Sequence, residues 1–171
     1  MTQSVRLSDF LGTELEEDFA NFDMTEVEEV MTQLHEVEAI DLPHAEFLQQ
    51  QALRGADIIT GYLAKIVKTL SYLETKVNST KNRISLEYMA PEGRTTVEMK
   101  KWAGEVGSPE LEQWQSKLGS AKGSKLVLDR KYELLVKTHH HYKDIAQGLR
   151  RTVLGYNPLT TNNEKVPEGY E

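Results

Sequence analysis

The chain has 171 residues, 39% of them apolar and 27% charged, with no cysteine and a formal net charge of −7. Without cysteine there are no disulfides, thiolate metal sites or cysteine nucleophiles. No run reaches the eighteen or more apolar residues of a membrane span and the acidic N-terminus does not read as a signal peptide, so no membrane association and a cytoplasmic location are expected. The charge is unevenly spread. Residues 1–50 carry thirteen acids against one basic residue, Arg6, whereas residues 51–155 carry eighteen Lys/Arg against eleven acids. A basic body suits phosphate, and an acidic arm of the same chain competes for that surface. The composition is too polar for a thick core and suits helices that each bury a narrow stripe.

In chain order, residues 9–22 place Phe10, Leu11, Leu15, Phe19 and Phe22 among acids, and the i, i+4 spacing of Leu11, Leu15 and Phe19 predicts a short amphipathic helix. A second helix follows, with Val27, Val30 or Met31, Leu34 and Val37 on one stripe. Thr25 is its expected N-cap, and Glu28 completes a capping box. Pro43 stops it by disfavouring helical geometry at Leu42. Residues 1–42 thus read as an acidic helical arm.

From about His44 to Tyr88, the residues Ala52, Ala56, Ile59, Leu63, Ile66, Leu70, Leu73, Val77, Thr80 and Ile84 recur at alternating spacings of four and three. That is a coiled-coil seam sustained over more than four heptads. Pro91 and Gly93 end it in a turn. Thr95 and Glu98 then form a T-x-x-E capping box for a short helix bearing Val97, Trp102 and Val106, which Gly107 ends. Ser108 caps the next helix, with Pro109 at its first position and Glu110 and Glu112 at its positive end. The last helix repeats the seam through Leu111, Trp114, Leu118, Ala121, Lys125, Leu128, Tyr132, Leu135, His139, Tyr142, Ala146, Leu149 and Val153.

The expected fold is all-α: residues 43–154 form a long antiparallel, coiled-coil-like helical hairpin with a connector at 90–109, and 155–171 form a flexible polar tail. Two narrow seams need further neighbours to exclude water. Ile59, Leu63, Ile66, Leu70, Leu73, Leu128 and Leu135 are therefore expected to be only partly covered in one chain and to drive assembly into a homo-oligomer.

Two motifs invite chemistry and fail. GSAKGSK, residues 119–125, lacks the glycine spacing, the Lys-Ser order and the strand of a phosphate loop. It is expected to interrupt the last helix, bend it or permit close backbone approach. HHHY, residues 139–142, fans its imidazoles about 100° apart, so they cannot converge on one ion. His139 falls on the seam, and His140 and His141 face solvent. No metal or other cofactor is expected. With no nucleophile–base pattern and no strands to frame a cleft, the chain does not read as an enzyme.

The basic residues are more informative. Lys76, Lys81, Arg83, Arg94, Lys100, Lys101, Lys117, Lys122 and Lys125 lie on the segments around the turn and gather at one end of a hairpin, with Tyr72, Tyr88 and Trp102 among them for base stacking. Glu87, Glu92, Glu98, Glu105, Glu110 and Glu112 dilute this charge. One copy would bind nucleic acid weakly, and several copies in a ring respectably.

The layout of residues 40–150 resembles the UvsY-type recombination mediators of tailed phages. The stretches that carry the resemblance are AIDLPHAEFLQQQALRGADIITGYLAKIVKTLSYLETKV and TTVEMKKWAGEVGSPELEQWQSKLGSAKGSK. The resemblance implies a helical homo-oligomer in the host-cell cytoplasm. Such a protein loads a recombinase onto single-stranded DNA coated with single-strand-binding protein. Phosphate contacts would then fall to Lys76, Lys81, Arg83, Lys100 and Lys101, with Lys122 and Lys125 behind them, and base stacking to Tyr88 and Trp102. The acidic arm has no counterpart in that pattern. It is expected either to fold back on the basic body or to dock a protein partner through Phe10, Leu11, Leu15 and Phe19. Two other readings are a helical scaffold or chaperone that binds only proteins, and an acidic inhibitor that mimics nucleic acid.

Overall fold

The computed structural model of the protein describes residues 4–11, 21–35, 39, 41–88, 93, 95–106 and 108–153. These residues form five helices and no named strand: α1 (Leu7–Leu11), α2 (Thr25–His35), α3 (Leu42–Glu87), α4 (Val97–Val106) and α5 (Pro109–Val153). The all-α expectation holds. At 1.5 Å per residue, α3 and α5 each extend about 70 Å.

Each long helix begins on a side-chain cap. The Asp41 carboxylate accepts the His44 N–H at 2.9 Å, and Pro43 occupies a first-turn position where no donor is needed. Leu42, expected to be kept out of helical geometry by Pro43, is instead the first residue of α3. The Ser108 hydroxyl accepts the Leu111 N–H at 3.2 Å, with Pro109 as the first helical residue, as the sequence indicates. The Tyr88 N–H closes α3 on the Ile84 carbonyl at 3.0 Å. Gly93 has a φ of 77°, in the left-handed region that glycine enters without steric cost.

Three other local expectations change. The α4 cap is Thr96 rather than Thr95, its hydroxyl accepting the Met99 N–H at 3.2 Å; that register turns Ala103 and Gly104 onto α3. Thr25 does not form a capping box with Glu28. Its hydroxyl donates to Asp23 at 2.6 Å and accepts the Val5 N–H at 2.9 Å, so it is spent on tying the N-terminal segment to α2. Finally, α5 runs unbroken through residues 119–125. Its glycines cost about 1 kcal/mol each in helix propensity, and tertiary packing offsets this: Ala121 and Ser124 are buried, and a Cβ on Gly123 would stand 3.3 Å from Leu11 Cδ2. The expected amphipathic helix at 9–22 appears as α1 only as far as Leu11. Leu15 and Phe19 lie outside the described residues, as do Gly107 and the tail.

Helices α3 and α5 pack along their length, with the later part of α3 against the earlier part of α5 and the reverse at the other end. Arg83 pairs with Glu110, Glu74 with Lys122 at 3.8 Å and Tyr72 with Trp114. Farther along, the Gln49 carbonyl lies 3.2 Å from His139 Nδ1, and Glu46 pairs with Arg150. Helix α4 packs on α3, α2 on α3, and α1 on α5.

The core is a single cluster. It joins Leu48, Ala52, Ala56, Ile59 and Ile66 of α3 to Leu128, Leu135 and Tyr142 of α5, and to Leu7, Met24, Val27, Val30 and Leu34 of the N-terminal arm. At Gly55 three helices meet: a Cβ there would stand 3.1 Å from both Val30 Cγ1 and Leu135 Cδ1. This corrects the expectation of a half-covered seam. Ile59, Ile66, Leu73, Leu128 and Leu135 are buried within one chain, partly because α2 lies on α3 and covers what two helices would leave open. Leu63 and Leu70 are half-buried.

Candidate nucleic-acid interface

Helix α4 sets the geometry of the basic end. Ala103 and Gly104 bury against α3 so closely that a Cβ on Gly104 would overlap Ser85 Oγ and come within 3.0 Å of the Lys81 carbonyl oxygen. This contact brings the turn of α3 that carries Lys81 against the helix that carries Lys100, Lys101 and Trp102. Trp102 is on the face of α4 away from the contact and is 58% exposed, with Met99 and Val106 one turn to either side. Lys101 is exposed, and Lys81, Lys100 and Tyr88 are half-buried.

The expected phosphate contacts separate into three groups. Arg83 is committed to Glu110 and, at 3.5 Å, to Glu87; Lys122 pairs with Glu74, and Lys125 with Asp129 at 2.6 Å. Lys76 lies over aromatic rings. Lys81, Lys100 and Lys101 form no ion pair with any described residue. Exposed pairs are worth roughly 0–1 kcal/mol each and exchange readily, yet the three uncommitted lysines need break nothing to meet a phosphate.

About a turn and a half back along α3 is a cluster that periodicity hides. Tyr72 and Trp114 meet edge to face, with centroids 6.5 Å apart and an interplanar angle of 82°. Lys76 Nζ lies 5.5 Å from the Tyr72 centroid and 5.9 Å from that of Trp114, and Lys117 Nζ lies 5.4 Å from that of Trp114. Trp114 reads from the heptad pattern as a seam residue. The one sequence signal to the contrary is Lys117 at i+3, on the same helical face as Trp114.

The acidic arm, where described, turns its charge elsewhere. Glu26 pairs with Arg54, and Glu28 with Lys131 at 2.6 Å. Lys131, whose side chain is 14% exposed, also sits 4.1 Å from the Phe10 ring centroid. Leu11 rests on Gly123. Phe10 and Leu11, expected to dock a partner, are thus engaged with α5. His139 is half-buried, and His140 and His141 are exposed. No group of three or more His, Asp or Glu among the described residues is arranged to hold a metal ion, and no helix is long and apolar enough to cross a membrane. No family model, curated protein or solved structure matches the chain.

Proposed function

We propose that the chain is an oligomeric mediator of the phage recombination type. It is an antiparallel helical hairpin that binds single-stranded DNA at its α3–α4 end and hands it to a recombinase or displaces a single-strand-binding protein. The observation that carries this reading is the packing of α4 on the turn of α3 that bears Lys81. It sets Lys81 on one helix and Lys100 and Lys101 on the other, all unpaired among the described residues, near the exposed ring of Trp102. Lysines that neutralise phosphate and an aromatic face that accepts unpaired bases are the two parts of a sequence-tolerant single-strand site. Three cations give modest affinity per copy, so useful binding calls for several copies on one strand.

Self-association uses α3 surface rather than the interior seam. Leu63, Val67 and Leu70 share one face at spacings of four and three, with Val67 52% exposed between two half-buried leucines. A protein-only assembly role is the second reading, favoured by the apolar exposure of Val97, Met99, Trp102 and Val106 on α4 and Leu86 on α3. The nucleic-acid mimic is the weakest, because Glu26 and Glu28 are spent on Arg54 and Lys131.

The test is fluorescence anisotropy with an unstructured oligonucleotide at low and high salt, alongside light scattering. Salt-sensitive binding by a multimer supports the mediator. A stable multimer with no affinity for the strand supports the assembly protein.

A further inference from the structure

We propose that Tyr72 and Trp114 form a second stacking platform for unpaired DNA bases. Lys76 covers its ring faces in the free protein and moves to a flanking phosphate when bases arrive. The proposal rests on the single-stranded-DNA reading above and names what a second part of that surface takes.

The geometry is that of a site kept ready. The two rings come from different long helices and meet edge to face, which leaves ring faces available; Tyr72 is 49% exposed. Each lysine is within one helical turn of a ring on its own helix, Lys76 at i+4 from Tyr72 and Lys117 at i+3 from Trp114. Lys76 also reaches the ring across the pair. A cation over a partly exposed ring is weakly held. A stacked base is the better occupant of the face, and a phosphate the better partner for an ammonium.

The exchange is therefore favourable only when base and phosphate arrive together. Free phosphate offers no ring to replace the lysine, and duplex DNA keeps its bases inside. Glu74, on α3 beside the cluster, is held by Lys122 at 3.8 Å and so repels an incoming strand less. The platform thus selects single strands by their bases, whereas Lys81, Lys100 and Lys101 respond to charge alone.

Oligo(dT) and an abasic strand of equal length separate the two contributions. Trp102→Phe leaves Trp114 as the one tryptophan of the chain's two, so its emission reports the platform. Oligo(dT) should change that emission, and the abasic strand should not. Tyr72→Leu, at a half-exposed position that leaves the core intact, should weaken oligo(dT) binding about tenfold and leave abasic-strand binding unchanged. Salt-sensitive oligo(dT) binding that leaves Trp114 emission unchanged and that Tyr72→Leu does not weaken would overturn the platform while leaving the DNA-binding reading in place. No binding of either strand at low salt overturns both.

Discussion

The Tyr142 hydroxyl, buried in α5, donates to the Leu34 carbonyl oxygen near the end of α2 at 3.1 Å. It joins the far half of the basic body to the acidic arm, and with Val27, Val30 and Leu34 it makes the arm a third layer of one core. Tyr142→Phe should cost about 0.5–1.5 kcal/mol by leaving that carbonyl with one partner fewer. Urea unfolding checks the value. Deleting residues 1–40 should do far more, since it uncovers part of the seam. The truncated chain is expected to aggregate or to lose its cooperative transition, rather than remain folded with tighter DNA binding.

Ser124 is fully buried, and its hydroxyl has no hydrogen-bond partner among the described residues. Ser124→Ala removes an unsatisfied group and improves helix propensity, so it should stabilise the protein by roughly 0.5–2 kcal/mol. A lower midpoint in thermal or urea unfolding would contradict this account of α5.

Gly104 allows α4 to lie on α3. A methyl group there meets Ser85 Oγ and the Lys81 carbonyl, and overpacking of this kind costs about 1–3 kcal/mol. Gly104→Ala should destabilise the protein and weaken DNA binding by moving Lys100 and Lys101 away from Lys81. Adding Ser85→Ala should recover part of the stability, because the two residues share one contact. Simple additivity of the two changes would place the strain elsewhere.

Tyr62 makes the arm's attachment sensitive to alkali. Burial raises its phenol above the ordinary value of 10.0, with Asp23 and Glu26 adding to the effect. The protonated hydroxyl donates to the Asp23 carbonyl at 2.7 Å, and the ring stacks on Phe22 at 4.7 Å. The fold therefore holds this proton more tightly than the unfolded chain. The stabilisation is present in full below pH about 10 and is lost as pH rises through the higher folded value. Tyr62→Phe keeps the stacking, so the melting temperature of that variant should fall less steeply above pH about 10 than that of the parent.

The sequence was most legible where a side chain acts on its own backbone. Ser108–Pro109 marks a helix start that needs no tertiary information, whereas Pro43 reads in the sequence only as the stop of the preceding helix and leaves the Asp41 cap unmarked. The alternation from Ala52 to Thr80 likewise identifies one buried face. What that face meets was not legible. The stripe Val27, Val30, Leu34 is readable as a helix face, but nothing in it says that it seats beside Gly55 and closes the seam that seemed to require another copy. Adjacent Thr95 and Thr96 both offer a capping hydroxyl, and local sequence does not choose between them; Thr96 is the one that accepts the Met99 N–H. The Tyr72–Trp114 platform was not legible either. Its rings are forty-two positions apart in the chain; Tyr72 stands out among the lysines as a stacking residue, but Trp114 fits the seam pattern and nothing local joins the two.

The most direct test of the proposed DNA-binding end is the salt dependence of oligonucleotide affinity for the Lys81→Ala, Lys100→Ala, Lys101→Ala triple variant beside the parent protein. Removing three phosphate contacts should reduce the slope of log affinity against log salt by about 2, given a contribution near 0.7 per neutralised phosphate on a single strand. Helical content and multimer mass should be unchanged, because these lysines form no ion pair among the described residues. An unaltered slope in a folded triple variant would contradict the account and move the interface away from the α3–α4 end.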